Sequence, residues 1–313
     1  MEPITVAVVA DRAFSRQLAV VLAGISRCSA GAPYRVFVLH DGYEPELVGK
    51  VEPSAGPDVA VEWLDARTTT LDQGLRPDHI TLSALYRLRL GEVLPADVDR
   101  VLYLDADIVV RNSLGALWTV DLGDSILAAV RDPVLGWFGS PNNVDWRHFG
   151  IDPAAPYFNA GIMLIDLDAW RRDDFGSRTV ELVTSHPFLD ADQGALNVAA
   201  VDRWVRLPPH WNLQGGHLRS EQSHAWVVEP TDALDLALQT PSIVHYNGGK
   251  WRRPWEDRLP QPQPPVHPMR QLWFEDLDRT AWAGWRPVER RASRMSGISR
   301  RIVRAGRTLA GNE

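Results

Sequence analysis

Strand-length apolar runs recur along the 313-residue chain at Ile4–Ala10, Arg35–His40, Val59–Leu64, Val101–Leu104, Ile126–Val130 and Ile162–Ile165, and helix-length periodic segments separate them in the first half. That alternation predicts an α/β fold, because strands covered by helices on both faces read as unbroken apolar runs and each crossover needs a helix of its own. Phe14, Leu18, Val21, Leu22 and Ile25 follow the i, i+4, i+7, i+8, i+11 spacing of one scaffold helix, and Thr81–Glu92 carries Leu82, Leu85, Leu88 and Leu90 around a second. Open α/β sheets bind ligands beyond the carboxyl ends of their strands. Attention therefore falls on Asp11, Asp41 and Asp105, which follow the first, second and fourth runs.

The fourth run, Val101-Leu102-Tyr103-Leu104, breaks into Asp105-Ala106-Asp107 and resumes as Ile108-Val109-Val110. In extended chain, residues i and i+2 point to the same side, so the two carboxylates at this tip can share one cation whose other positions suit diphosphate oxygens. The same acids could equally cap a following turn and face water. Spacing alone does not decide, since Asp-x-Asp also occurs at Asp97, Asp166, Asp190 and Asp276.

Hydrophobic content of 45% with 13 tryptophans is ample for a core. A net charge of −7 offers no general attraction to nucleic acid, and none is expected as a partner. The N-terminal stretch has no basic n-region and too short an apolar run for a signal peptide or membrane span, which predicts a cytoplasmic protein. The single cysteine, Cys28, excludes an internal disulfide and reads as a packed thiol. Neither G-x-x-x-x-G-K-[ST] nor G-x-G-x-x-G occurs, so phosphate binding must rest on metal and side chains.

Beyond about residue 200 the alternation fades into a Trp/Pro/Gly-rich stretch that includes Pro208–Gly216, expected to close over the sheet as loops. Five prolines between Pro260 and Pro268 suggest a stiff connector. The tail from Arg286 to Arg307 is rich in arginine, with Met295, Ile298, Ile302 and Val303 interspersed. It suits an amphipathic helix lying peripherally on the inner face of an anionic membrane and, equally, a solvated basic extension. The expected organisation is one catalytic unit over residues 1–259 and a connector with a basic helical tail over 260–313.

Tyr86-Arg87-Leu88-Arg89-Leu90-Gly91-Glu92, Leu102-Tyr103-Leu104-Asp105-Ala106-Asp107, Tyr157-Phe158-Asn159-Ala160-Gly161, Asp192-Gln193-Gly194-Ala195-Leu196-Asn197 and His245-Tyr246-Asn247-Gly248-Gly249-Lys250 follow one another in the chain. Together, from roughly residue 4 to residue 255, they resemble glycosyltransferase family 8, which includes glycogenin and bacterial lipopolysaccharide galactosyl- and glucosyltransferases. The resemblance implies a GT-A type fold with a Rossmann-like mixed central sheet, a UDP-sugar donor, manganese (magnesium as the alternative ion), and transfer of glucose or galactose with retention to a saccharide or glycolipid acceptor. It makes Asp105, Asp107 and His245 the metal ligands, a mixed O/N set suited to Mn2+.

By the same resemblance Asp11, Arg87, Asp105, Ala106, Asp107, Asn159, Ala160, Asp192, Gln193, Gly248 and Lys250 face the donor. Arg87, Asp192 and Gln193 form the catalytic group, and His79 and Asp132 approach the acceptor, with Asp190 a weaker candidate. Gln193 lies where a double displacement would need a nucleophile; an amide is a poor one, which favours front-face transfer. Two departures stand out. Ala13 occupies a position that is polar in the family, and Trp251-Arg252-Arg253 separate Lys250 from Pro254-Trp255, so Arg252 or Arg253 competes with Lys250 for the diphosphate. A sugar-nucleotide hydrolase or nucleotidyltransferase, and a non-catalytic sugar-nucleotide-binding protein, are the alternatives.

Overall fold

The computed structural model describes residues 2–65, 86–141, 143, 145–188, 190–218, 229–247, 251–259, 264–288 and 290–291. In chain order the strands of the two larger sheets are β1 (Ile4–Val9), β2 (Tyr34–His40), β3 (Val59–Asp65), β4 (Arg100–Asp105), β5 (Ile108–Val110), β6 (Leu127–Arg131), β7 (Phe158–Asp166), β8 (Trp204–Leu207), β9 (Leu213–Gln214) and β10 (Ile243–His245). The principal helices are α1 (Ser15–Arg27), α2 (Pro45–Val51), α3 (Leu167–Arg172), α4 (Phe175–Ser185), α5 (Asp192–Ala199), α6 (Thr231–Gln239) and α7 (Arg270–Leu277).

Seven strands form the central sheet in the order β3-β2-β1-β4-β7-β6-β8. It is mixed: β1 runs parallel to β2 and β4, whereas β7 is antiparallel to both β4 and β6. The pleat sorts each strand between two cores. Val6, Val8, Val36, Val38, Leu102 and Leu104 face the layer under α1. Ala7, Val9, Phe37, Leu39, Val101 and Tyr103 face the layer under α3, α4 and α5. Burial on both faces is why these strands read as unbroken apolar runs.

The chain between β4 and β5 departs from the sequence expectation of a single interrupted strand. β4 ends on Asp105, Ala106 and Asp107 form a turn, and β5 leaves the central sheet for a second one. That smaller sheet has the order β5-β10-β9, with β10 antiparallel to β5 and parallel to β9. Part of the stretch expected to be loop, Leu213–Gln214, is therefore strand. Its own apolar cluster joins Val109, Leu213, Val244 and Tyr246 to Trp273, Phe274 and Leu277 of α7. Arg27 of α1 clamps α7 from the other side, its Nε and Nη2 reaching the two oxygens of fully buried Asp276 at 2.8 and 3.0 Å. Residues 264–288, part of the segment anticipated as connector and tail, thus supply core rather than a separate appendage. The described part of the second anticipated helix is helical at Tyr86–Leu88 and Leu90–Val93, and its start, like the tail beyond residue 291, lies outside the described residues.

Candidate active site

The strand-end acids Asp11, Asp41 and Asp105 reach one edge of the central sheet because β1, β2 and β4 run parallel, and β7, running against β4, begins at that edge. Leu104 pairs with Ile162, which brings Asp105 level with Gly161, the fourth residue of β7. Tyr103 and Asp105 share a face by the two-residue period, and the Tyr103 hydroxyl donates to Asp105 Oδ1 at 2.6 Å. Asp107 joins them through the turn, not through the pleat. His245 arrives from the second sheet at the end of β10, where Tyr246 N–H donates to the Asp107 carbonyl at 2.9 Å. His245 Nε2 lies 3.0 Å from Asp107 Oδ1 and 3.7 Å from Asp105 Oδ2. One ligand atom from each of the three falls within 4.8 Å of the others.

Electrostatics distinguishes the two acids. Burial raises the Asp105 carboxyl above its usual range, and the neighbouring Asp107 charge adds to this despite Arg87. Burial also opposes ionisation of Asp107, but His245 outweighs it and holds Asp107 below its usual range. His245 is raised: desolvation works against its cation, and Asp107 more than compensates. Two carboxylates of opposite tendency and one imidazole make a compact, strongly interacting site.

Arg87 forms the second charged cluster. Burial opposes its charge, yet Asp192 and Asp105 hold the guanidinium fully protonated. Its Nη2 donates to Asp192 Oδ2, and its Nη1 to the Ala160 carbonyl at 3.0 Å. Asp192 opens α5, preceded by Ala191 at φ +48°, ψ −119°, a conformation an L-residue adopts at a cost of about 1–3 kcal/mol. Asn197, one helical turn after Gln193, accepts from Phe158 N–H at 2.8 Å and donates to the Phe158 carbonyl at 2.9 Å, which locks α5 to the start of β7.

Between these clusters runs a chain of amides. Asn159 Nδ2 donates to Gln193 Oε1 at 3.0 Å and to Asp132 Oδ2 at 3.3 Å. Asn212 Nδ2 donates to Asn159 Oδ1 at 3.0 Å, and Asn212 Oδ1 faces His245 Nδ1 at 3.0 Å. Gln193 Nε2 reaches Asp190 Oδ2 at 3.3 Å. All border or underlie a cleft of about 870 Å3 whose far wall is Pro133, Val134, Leu135 and Pro141.

Asp132, anticipated near the acceptor, spends its Oδ1 on the N–H groups of Val134 and Leu135, both at 2.8 Å, and so builds that wall. Asp11 caps the turn after β1, accepting from Phe14 N–H at 3.0 Å. With Phe14, Tyr103 and Ala106 it lines an adjoining hollow of about 330 Å3. Arg253 lines the main cleft; Arg252 is buried at 8% exposure. His79, Gly248 and Lys250 lie outside the described residues. Sequence reasoning passed over Phe14, Tyr103, Gly161 and Asn212. Gly161 and Asn212 carried signals in retrospect, a glycine inside an apolar strand and an amide in a proline-rich loop; Tyr103 and Phe14 looked like core.

Two carboxylate oxygens and an imidazole nitrogen, the imidazole's other nitrogen engaged by a buried amide, suit a divalent ion that accepts both O and N ligands. Glycine at 161 is required for that space: a Cβ there would lie 2.7 Å from Asp105 Oδ2 and against the His245 ring. A mixed sheet with paired acids at the end of a central strand and a histidine from a smaller second sheet defines a GT-A type glycosyltransferase fold. Among solved structures of this fold, a galactosyltransferase, LgtC, in complex with donor and acceptor sugar analogs superposes with a TM-score of 0.65 at 24% identity over 88% of this chain and 96% of that one.

The chain belongs to glycosyl transferase family 8, whose sequence model matches residues 5–258. General stress protein A of Bacillus subtilis (strain 168) is 26% identical over 254 residues, 79% of this chain and 83% of the relative. Lipopolysaccharide 1,3-galactosyltransferase of Salmonella typhimurium is 25% identical over 213 residues, 65% of this chain and 56% of the relative. Of the longer GlyB of Streptococcus pneumoniae serotype 4 the chain spans 49%. Among the described residues, no helix is long and apolar enough to cross a membrane.

Proposed function

We propose that this glycosyltransferase is a metal-dependent, retaining enzyme that moves glucose or galactose from a UDP-sugar to a saccharide or glycolipid acceptor. The observation that carries the proposal is the convergence of Asp105, Asp107 and His245 in the same cleft as Asp192 and Gln193. The relative named as a lipopolysaccharide 1,3-galactosyltransferase supports a hexose donor and a saccharide acceptor. In this assignment Asp105, Asp107 and His245 would hold Mn2+, with Mg2+ the alternative, and the ion would supply neutralisation of the diphosphate leaving group.

Arg253 adds a cation on the diphosphate side, a role it shares with Lys250. Asp11 and Phe14 flank the hollow assigned to the nucleoside. Asn159 and Asp192 offer an amide and a carboxylate to donor hydroxyls, and Arg87 holds the Asp192 side chain in place. Gln193 is unsuited to nucleophilic attack. Its oxygen accepts from Ala160 N–H and Asn159, and its nitrogen faces Asp190. Front-face transfer fits this better: the departing diphosphate oxygen takes the acceptor's proton as the acceptor oxygen bonds to the anomeric carbon from the same side.

The test is UDP release from separate UDP-hexoses with MnCl2, alongside an Asp107→Asn control. Release with one sugar, lost in the control, supports the assignment; silence with every UDP-sugar from folded protein moves weight to another nucleotide donor, an obligatory acceptor or a binding role. UDP release that yields no sugared product across an acceptor panel indicates hydrolysis. A sugar adduct on Gln193 or Asp192 in intact-protein mass spectra would replace front-face transfer with double displacement.

A further inference from the structure

The polarity of the amide chain is imposed by two groups that can only donate. Gly161 N–H donates to Asn159 Oδ1 at 3.1 Å, and Ala160 N–H to Gln193 Oε1 at 3.1 Å. With its oxygen fixed by Gly161, Asn159 must turn Nδ2 toward Gln193 and Asp132. Asn212 meets that same Asn159 oxygen at 3.0 Å, so it must present Nδ2 there and Oδ1 on its other side. That oxygen lies 3.0 Å from His245 Nδ1. A carbonyl oxygen cannot donate, so the imidazole's proton is required on Nδ1. Nε2 is then the nitrogen directed at Asp107 and Asp105.

We propose that Asn212 is a positioning residue that fixes His245 with Nδ1 protonated and Nε2 presented to the cation site, while its amide nitrogen orients Asn159 on the sugar side. The proposal rests on the metal-dependent reading above for what Nε2 binds. Asn212 is 0% exposed, so solvent does not compete for either bond in the folded protein. Its two bonds join the cation side of the cleft to the sugar side, and each side restrains the other through one amide plane. Outer-shell partners of this kind typically tune metal affinity about 10–100-fold.

Two measurements on the full-length protein test this. Long-range 1H–15N correlation of 15N-histidine-labelled protein is expected to show a pyrrole-like, proton-bearing Nδ1 at His245; a pyridine-like Nδ1 overturns the proposal. Mn2+ affinity, read by electron paramagnetic resonance without donor, is expected to fall about 10–100-fold in Asn212→Ala. Asn212→Asp, which keeps an oxygen acceptor for Nδ1–H, is expected to recover most of that loss while kcat stays low because Asn159 has lost its donor. A folded Asn212→Ala protein with wild-type Mn2+ affinity also overturns it. If Asn212→Ala does not fold, the wild-type Nδ1 resonance decides alone. Wild-type protein with no affinity for Mn2+ would reject the metal-dependent function, and the Nδ1 resonance would still decide the role of Asn212.

Discussion

Gly161 and His245 approach so closely that no side chain fits between them: a Cβ on residue 161 would press on the imidazole and stand 3.0 Å from its Nδ1. Neither group can retreat, because Gly161 lies inside β7 and the His245 ring is held by Asn212 and Asp107. Gly161→Ala is expected to cost about 1–3 kcal/mol as an overpacked core position does. Transferase activity should fall much further than stability, through displacement of His245. Thermal melts beside Mn2+ titrations check this; a fully active Gly161→Ala protein would show that the ring is free to move.

Arg87→Ala should be the most destabilising single change at the cleft. It strands the buried Asp192 carboxylate, and removal of one partner of such a pair costs about 3–5 kcal/mol. Arg87→Leu with Asp192→Asn together should recover much of the stability and none of the activity, which denaturant unfolding combined with a transfer assay resolves.

Above the window in which Asp107 is ionised and His245 protonated, stability of the metal-free protein and its metal affinity should depend on pH in opposite senses. His245 is raised above its usual 6.5, so its stabilising contact with Asp107 is fully present below that value and is lost as pH rises through the folded-state value. Asp107 is lowered from 3.8, so its contribution is present above that value and lost as pH falls through the folded-state one. Metal-free protein is therefore expected to be held best between them. Mn2+ must displace the His245 proton, so its stabilisation should grow with pH. Melting temperatures in EDTA and in MnCl2 over about pH 5–9 read the gap; a gap independent of pH would remove His245 from the ligand set.

Ala191→Gly should raise the melting temperature, because glycine adopts φ +48° without the cost alanine bears. The expected gain is about 1 kcal/mol or less after the added freedom of the unfolded chain is subtracted. Lower turnover in the more stable variant would indicate that the strained backbone helps aim Asp192.

Much of the fold was legible because its strands are buried on both faces, which leaves an unmistakable apolar signature at β1, β2 and β4. The gathering of Asp105, Asp107 and His245 was legible through motif order. The route was not: the two-residue period suggested that Asp107 follows Asp105 along one strand, whereas a turn carries it to a second sheet. Residues 264–288 misled for a related reason. The proline cluster at their start signalled a connector, and nothing local shows that Trp273 and Phe274 meet Val244 and Tyr246. Asn212 was hidden because an amide's importance depends on partners 53 and 33 residues away.

The basic tail is expected to act apart from the catalytic unit. Arg286 is already engaged by Asp278 at 2.7 Å and sits over Phe274, so a clean deletion starts later, at residue 292. Loss of residues 292–313 should leave the melting temperature unchanged and reduce binding to vesicles containing anionic lipid. Unaltered vesicle binding would refute the membrane-contact reading.

The three candidate ligands come from two sheets: Asp105 closes a strand of the large one, His245 closes a strand of the small one, and Asp107 sits in the turn between them. An ion bound there is a rivet across a seam. Loosening of the small sheet, with α7 packed on it, and release of such an ion would then become one event, so affinity for an ion at this site would also measure how firmly the C-terminal layer is closed.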